Sequence, residues 1–420
     1  MNMCEDFPDA LLPYCDIEMN ESRIVLYSGA FSLKSNNWTI DLEGIISYSL
    51  CGKIRLMFEG HGVGSKHPAL SLESNCQICT RNGVTGDCFI NSYNTNNSST
   101  VIVRGVIETL FSDQIECGMW HWSYLNMKRF LGSTVMRVTD GKRSFSTDRL
   151  SFCCKDGTQI ILENSDNQNG ANNITPYRIS HHCKLIPAGG NSIGFETAYR
   201  YISAFTNFIS FVVGRYHSAI LIAGENAEGT LLPYYYSGYD FSQTSVTSWL
   251  PFPDDCDIES LWPRFEEIWN GTDADKADIL STAVHWYLEA NMGSGKVEGA
   301  IVMARTGLQL MWNVILTEEE LKGKEHLQNL LKRMKYNPPF DPACINETRD
   351  RLIHYYDVNR RKQYQQLTFE EKYQSLDNSL NILELAILYW LGYNGHYADR
   401  TCSVLWQGAS TKRVPWAEQN

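Results

Sequence analysis

The feature that most constrains this chain of 420 residues is a change of hydrophobic periodicity near residue 251. Before it, short segments rich in β-branched and aromatic residues alternate with clusters of Gly, Asn and Ser, which is typical of antiparallel strands. After it, apolar residues recur at the spacing of helices. Pro251–Cys256 therefore reads as a linker. We predict a multidomain α+β protein with domains at residues 1–250 and 258–420.

The N-terminal region is predicted to be an antiparallel sandwich or barrel with one helix. The helix is expected between Gly194 and Gly214, where apolar residues recur at helical spacing. Glu163–Asn173 is polar enough to predict a loop, and Leu232–Trp249 has the composition of turns. The strand signals are Arg23–Tyr27, Trp38–Leu42, Lys53–Phe58, Asp87–Asn91, Thr100–Arg104 and Thr134–Val138.

The C-terminal region is predicted to be an all-α bundle. Thr368 and Glu371 have the spacing of a capping box, so the last helix is expected to start there and to run to Leu391. The preceding helices are predicted at Glu259–Trp269, Asp273–Asn291, Val297–Thr317, Glu318–Lys335 and Ala343–Gln366.

Charge restricts the classes of function that this chain can have. A net charge of −12 argues against a protein that coats nucleic acid without specificity. Positive charge is nevertheless concentrated in two short runs, Lys332–Lys335 and Arg360–Lys362. Either these runs are local patches for nucleic acid, or they are solvated helix ends.

Composition also indicates a cytoplasmic protein. The first six residues have neither a basic start nor an apolar run, so a signal peptide is not expected. No apolar stretch reaches the ~20 residues that a membrane span requires. Thirteen cysteines without the spacing of a disulfide framework indicate reduced thiols.

The segment Arg349–Tyr356 has the strongest chemical signature. Arg349 and His354 are five positions apart on a predicted helix, so their side chains lie ~140° apart in projection. A single copy cannot clasp a substrate between them. Two copies that face each other across a dimer axis could bring these groups together in a shared cleft. Such a cleft suits cleavage of a phosphodiester without a metal.

This Arg-x4-His pattern resembles the ribonuclease motif of HEPN domains (higher eukaryotes and prokaryotes nucleotide-binding). Tyr356 extends the pattern to the Arg-x4-His-x-Tyr form of some toxin members. Three further segments resemble the ApeA-like branch of this superfamily, and the resemblance covers about residues 258–405. These segments are Ala283–Asn291, Val297–Val302 and Leu391–Arg400.

The resemblance implies an RNA endonuclease that acts as a homodimer with a composite active site. His354 would transfer protons to and from the ribose 2′-hydroxyl and the leaving 5′-oxygen. Arg349 would hold the phosphate, and Asp350 would orient Arg349 or His354. Arg351 and Gln309 are possible supporting residues, although the family usually has an acidic residue where Gln309 stands.

The resemblance also implies a biological role and a set of partners. The substrate would be tRNA or single-stranded RNA, cut to 2′,3′-cyclic phosphate and 5′-hydroxyl ends, with no cofactor. The role would be antiviral defence by abortive infection. The N-terminal domain would then be a sensor or restraint that responds to a phage-derived trigger.

Three other interpretations stay open. The helices could form a non-catalytic HEPN scaffold that binds a nucleotide or a partner. The protein could be a toxin whose antitoxin modifies Tyr356. Alternatively, Arg349 could simply pair with Glu347 or Asp350, with His354 packed against the core. A second match to the motif, Arg55–His61, alternates like a strand, so we do not place the site there.

A zinc site is not expected. Cys76, Cys79 and Cys88 lie in the strand-rich region without a second Cys-x2-Cys pair, and His181–Cys183 provides a separate short group. We therefore predict no metal at either place.

Overall fold

A computed structural model of the chain describes residues 7–11, 18–20, 23–50, 54–63, 75–96, 100–112, 116–139, 141–165, 178–236, 246–251, 257–293, 296–353, 358–402 and 410–417. The chain divides into two compact units. The first, here called the β unit, comprises Met1–Ser151, Asp156–Ile202 and His217–Phe241. The second, the helical unit, comprises Phe152–Lys155, Ser203–Tyr216 and Ser242–Asn420. The α+β class with an N-terminal β region and a helical C-terminal region is therefore confirmed.

Six strands of the β unit form a closed, barrel-like antiparallel sheet. Their order is β4-β3-β2-β5-β6-β7, and β4 also pairs with β7, which closes the ring, while β1 pairs with β2 outside it. Alternate side chains such as Ile24, Phe31 and Leu33 fill its core. The strands are β1 Glu18–Asn20, β2 Arg23–Ser35, β3 Trp38–Ser49, β4 Arg55–Val63, β5 Asn75–Thr80, β6 Thr85–Asn96 and β7 Thr100–Phe111.

A close approach between two strands of this sheet explains one of its glycines. Gly44 of β3 lies opposite Gly60 of β4. A Cβ atom on Gly44 would lie 2.0 Å from the carbonyl oxygen of Glu59, so only glycine fits there.

A second run of strands continues the sheet from β7. Its order is β14-β13-β8-β12-β11-β10-β9, with antiparallel pairing between β14 and β7. The first residues of helix α1, Phe195–Val213, belong to this unit, where Phe195 stacks on Tyr234. The strands are β8 Met119–Leu125, β9 Ser133–Thr139, β10 Lys142–Cys153, β11 Gln159–Asn164, β12 Ile179–Ile186, β13 Ile220–Glu225 and β14 Leu231–Tyr236.

Two sequence predictions for the β unit are wrong at their N-terminal ends. Glu163–Asn173 does not begin as a loop, because Glu163 and the following Asn164 end strand β11 and are buried. Two arginines hold Glu163 in place: Arg149 Nη2 lies 2.7 Å and Arg137 Nη2 3.3 Å from its carboxylate. Leu232–Trp249 likewise begins as strand β14 rather than as turns. Residues 166–177 and 237–245 lie outside the described residues.

The helical unit is built around helix α9. All residues from Leu380 to Leu388 are buried, and α3 and α4 both contact α9. Gly307 of α4 permits close packing, since a Cβ there would lie 2.9 Å from Leu383. The helices are α2 Ile258–Trp269, α3 Ala274–Asn291, α4 Lys296–Ile315, α5 Glu318–Leu321, α6 His326–Arg333, α7 Ala343–Ile353, α8 Val358–Gln365 and α9 Phe369–Trp390, followed by strands β15 His396–Ala398 and β16 Thr411–Arg413.

The C-terminal part of α1 also belongs to the helical unit. Phe205 and Phe208 make edge-to-face contacts with Trp262 of α2, with ring centroids 5.2 Å and 5.4 Å from that of Trp262. Among the described residues, no helix is both long and apolar enough to cross a bilayer.

One predicted helix is broken in the structure. Glu318–Lys335 forms the two helices α5 and α6 rather than one. Arg333 of α6 donates hydrogen bonds to both carboxylate oxygens of Glu320 on α5, and Asn329 donates to the Glu320 carbonyl. These contacts require the chain to turn back on itself between the two helices. The helix predicted at Ala343–Gln366 corresponds to α7 and α8, and residues 354–357 between them lie outside the described residues.

Candidate functional site

Arg349 lies on helix α7 and is partly accessible to solvent. Its Nη1 donates a hydrogen bond to Asp350 Oδ1 at 2.9 Å, and its side chain is 32% exposed. Adjacent residues on a helix do not normally face each other, so this contact is unusual for two neighbouring positions. The guanidinium group is therefore both oriented and reachable.

Arg351 lies in a different electrostatic setting from Arg349. Its Nη2 bonds to Glu347 Oε2 at 3.0 Å, one turn earlier on α7. Its positive charge also helps to lower the pKa of Glu371, after the larger effect of hydrogen bonds from Thr368. Arg351 thus forms an ion pair with Glu347, whereas Arg349 pairs with Asp350.

A second guanidinium group, which the sequence did not reveal, lies near Arg349. Arg305 of α4 donates through Nε to Asn346 Oδ1 of α7 at 2.7 Å. Its guanidinium carbon lies 3.9 Å from the centroid of the Trp312 ring, a cation–π arrangement. Its Nη1 is buried and has no hydrogen-bond partner.

The electrostatics of Arg305 show that Arg349 and Asp350 both act on it. Burial and then the positive charge of Arg349 lower the pKa of Arg305, Asp350 opposes them, and the net pKa is about 10. Arg305 therefore stays charged at neutral pH. The charges of Arg349 and Asp350 thus both lie close enough to Arg305 to act on it.

The structure describes only some of the remaining predicted site residues. Gln309 is exposed on α4, one turn after Arg305. His354 and Tyr356 lie outside the described residues, as do the side chains of Arg360 and Arg361. In the other basic run, Arg333 is paired with Glu320 at 2.9 Å, so part of that charge is neutralised within the chain.

A buried polar network joins the segments Ala283–Asn291 and Leu391–Arg400. Arg400 binds the carboxylate of Glu384 through Nε at 2.8 Å and Nη2 at 2.7 Å, with both side chains almost fully buried. Tyr287 donates to the same carboxylate at 2.7 Å, and Asn291 accepts from Arg400 at 2.8 Å. Since these groups are enclosed, the network acts on the stability of the helical unit rather than on a substrate.

Arg400 stays charged in this network. Burial lowers the pKa of Arg400, but the carboxylate of Glu384 outweighs that effect and raises the pKa above its usual value. The only sequence signal for this network was the polar end of each segment, Asn291 and Arg400.

The β unit contains a separate cavity of about 440 Å³ whose lining includes His121, His182, Lys184 and Glu225. His121 Nε2 lies 2.9 Å from Glu225 Oε2. Burial lowers the pKa of His121 in spite of Glu225, and burial lowers the pKa of His182 to about 4. Both imidazoles are neutral at pH 7, so they can act there as hydrogen-bonding groups.

The cysteine positions considered for zinc are distributed as follows. Cys76 and Cys88 face each other across β5 and β6 with their sulfur atoms 3.3 Å apart. Cys183 is buried on β12. In the part of the chain that the structure describes, no three His, Cys, Asp or Glu side chains are grouped so that they could hold a metal ion.

Comparison with known proteins points to one group of relatives. Residues 114–245 match a family model described as the YopA central domain, and residues 273–337 and 322–412 match the YopA C-terminal domain. The chain is similar to the SPbeta prophage-derived uncharacterized protein YopA of Bacillus subtilis (strain 168). The two are 23% identical over 96% of this chain and 97% of the relative. Neither matching family model is a HEPN model. No solved structure matches the chain.

Proposed function

We propose that this protein is a metal-independent RNA endonuclease of the HEPN kind. The observation that carries the proposal is a solvent-accessible guanidinium group, Arg349, which Asp350 holds and which acts electrostatically on a second guanidinium group, Arg305. Arg349 precedes His354 by five residues in the motif. Positive charge at that place suits a phosphodiester, although the chain as a whole is acidic.

The chemistry follows from two imidazoles and the guanidinium groups. A neutral His354 takes the proton from the ribose 2′-hydroxyl, and the 2′-oxygen attacks the adjacent phosphorus. The bond from phosphorus to the 5′-oxygen breaks, and the protonated His354 of a second copy donates a proton to that oxygen. Arg349 stabilises the extra negative charge on the phosphate oxygens. The products are a 2′,3′-cyclic phosphate and a 5′-hydroxyl, and no step requires a metal or cofactor.

This mechanism requires a homodimer. The sequence predicts a helix through Arg349 and His354, on which the two side chains would lie ~140° apart in projection, so the four groups would converge only where two copies meet. The composite active site would then form at the dimer axis, on tRNA or single-stranded RNA.

The proposed role is cytoplasmic and lies in conflict between phage and host. The relative from Bacillus subtilis is prophage-derived by name, which fits a gene that takes part in such conflict. The β unit would act as a sensor or restraint for a phage-derived trigger. Its cavity, with neutral His121 and His182, has a volume in the range of small-molecule sites.

An assay on purified protein tests the proposal. Wild type should degrade tRNA or single-stranded RNA in the presence of EDTA. His354→Ala should lower the rate by about 10²–10⁴-fold, and Arg349→Ala by about 10²–10³-fold. His61→Ala is the matched control, since His61 belongs to the other Arg–His match and is exposed on β4. Cleavage retained in His354→Ala would place the site elsewhere.

The first alternative is a non-catalytic HEPN scaffold that binds a nucleotide or a partner. The hydrogen bond between Arg349 and Asp350 favours it, because that bond already satisfies part of the guanidinium group. RNA binding without cleavage, even with candidate triggers added, would support the scaffold.

The second alternative is a toxin controlled by an antitoxin that modifies Tyr356. It rests on the motif alone. Co-expression with neighbouring genes and a mass shift on Tyr356 would support it, and an unmodified tyrosine under those conditions would exclude it.

A further inference from the structure

Arg305 is held in an orientation that a surface arginine does not normally adopt. Long basic side chains usually extend their charged ends into water. Here Arg305 Nε donates to Asn346 at 2.7 Å and the guanidinium carbon lies 3.9 Å from the Trp312 ring centroid, so the group is fixed between α4 and α7. A guanidinium group that is fixed in this way loses less conformational freedom when it binds a ligand.

The binding capacity of Arg305 is only partly used. Nη1 is buried without a hydrogen-bond partner, and such groups in proteins call for an explanation. The positive charge of Arg349 acts on Arg305, and one carboxylate, Asp350, opposes it. A bound anion would give Nη1 a hydrogen-bond partner and would offset the repulsion between the two arginines.

Arg349 can turn towards such an anion at small cost. Its partner Asp350 is 43% exposed, and ion pairs between exposed groups contribute little to stability. Exchange of the Asp350 carboxylate for a phosphate oxygen would keep Arg349 charged and hydrogen-bonded.

We propose that Arg305 and Arg349 together bind one phosphate group of the RNA, with Arg305 as a positioning residue on α4. This inference rests on the proposed function, because it takes RNA as the ligand. The planar fork of each arginine matches two phosphate oxygens, which a single ammonium group cannot do. Arg305 does not exchange protons with the substrate. Its role is to hold the phosphate in position for Arg349 and His354.

Binding measurements on full-length protein test this role. All variants carry His354→Ala so that the RNA stays intact, and a fluorescently labelled single-stranded RNA is titrated in EDTA at several salt concentrations. Arg305→Gln should weaken binding about 10-fold or more. The slope of log K against log salt should fall by about 0.7, the value for one phosphate contact on a single strand.

Two further variants make the result specific. Arg264→Gln is the matched control, because Arg264 is exposed and pairs with Glu267 at 2.7 Å on α2; its binding should not change. Arg305→Lys keeps the charge and loses the fork, so binding should be weakened while the salt slope stays near that of the parent. If Arg305→Gln strongly lowers the thermal midpoint, the RNA affinity of Arg305→Lys is used to decide whether Arg305 binds the phosphate.

The outcomes separate this inference from the proposed function. Binding by Arg305→Gln equal to that of Arg264→Gln, with an unchanged salt slope, would overturn the phosphate role, whether or not wild type cleaves RNA. Weakened binding in Arg305→Gln without cleavage by wild type would sustain the phosphate site and refute the nuclease. An absence of RNA binding by the parent protein would overturn the phosphate site.

Discussion

The buried pair of Arg400 and Glu384 gives the sharpest prediction for stability. In Glu384→Gln the amide can still accept from Tyr287, but its NH₂ group faces the Arg400 guanidinium. Arg400 would then be a buried cation whose other carboxylate, Asp377, lies 3.9 Å away and is half exposed. Removing one partner of a buried ion pair costs about 3–5 kcal/mol.

The expected loss converts into a measurable change. For a domain of about 150–250 residues, each kcal/mol lowers Tm by about 2–4 °C. Glu384→Gln should therefore lower the Tm of the helical unit by roughly 6–20 °C. Hydrogen exchange of peptides from α3 and α9 assigns the transition to this unit rather than to the β unit.

Two further variants test the cause. Asp377→Asn makes the same chemical change at the exposed carboxylate and should cost less than about 1 kcal/mol. A double variant, Glu384→Met with Arg400→Met, removes both charges and should be less destabilised than the sum of its single changes, by about 1–3 kcal/mol. A loss of stability in Glu384→Gln no larger than in Asp377→Asn, or strict additivity in the double variant, would show that the buried ion pair does not stabilise the helical unit.

Three other predictions concern the fold. Burial lowers the pKa of His181 to about 3, whereas the unfolded chain protonates at its ordinary pKa of about 6.5. The contribution of His181 to stability should thus be fully present above about pH 6.5, and below it the free energy of unfolding should fall by up to about 1.4 kcal/mol per pH unit. Urea unfolding at several pH values should show a smaller slope for His181→Phe. Gly214→Ala should lower the free energy of unfolding by at least about 2 kcal/mol, because φ is +80° and a Cβ would lie 2.5 Å from the Asn291 amide nitrogen. Gly293→Ala is the control: φ is also positive there but the space is open, so thermal unfolding should show a smaller loss of stability. Thr368→Ala should destabilise α9 by about 1 kcal/mol, and Thr368→Ser should restore most of it in the same measurement.

Local sequence signals predicted much of the fold. The strands β2, β3, β6, β7 and β9 contain the segments rich in β-branched residues, and α2, α3, α4 and α9 match their predicted ranges closely. The capping box of Thr368 and Glu371 has both of its reciprocal hydrogen bonds. These features depend on residues within a few positions of each other, so periodicity and capping rules can detect them.

Features that depend on distant partners were missed. Glu163 lies in a polar run, yet Arg137 and Arg149 from other strands make it a buried strand residue. The break between α5 and α6 depends on Arg333 reaching back to Glu320. A single sequence does not show which charges will meet across the fold.

The candidate site divides in the same way. The contact between Arg349 and Asp350 involves neighbours and could be expected from the sequence. Arg305 is 41 positions from its partner Asn346 and lies in a different helix, so no motif pointed to it. The catalytic roles of Arg349, His354 and Asp350, and the supporting roles of Tyr356, Arg351 and Gln309, stay predictions.

Mass analysis of the termini produced from a defined RNA oligonucleotide in EDTA tests the proposed cleavage most directly. With wild type we expect 2′,3′-cyclic phosphate and 5′-hydroxyl ends. We expect no cut where a single 2′-deoxy nucleotide replaces the residue that supplies the attacking oxygen. Equal cleavage of the 2′-deoxy oligonucleotide, or 5′-phosphate ends, would contradict attack by the 2′-hydroxyl and with it the role assigned to His354.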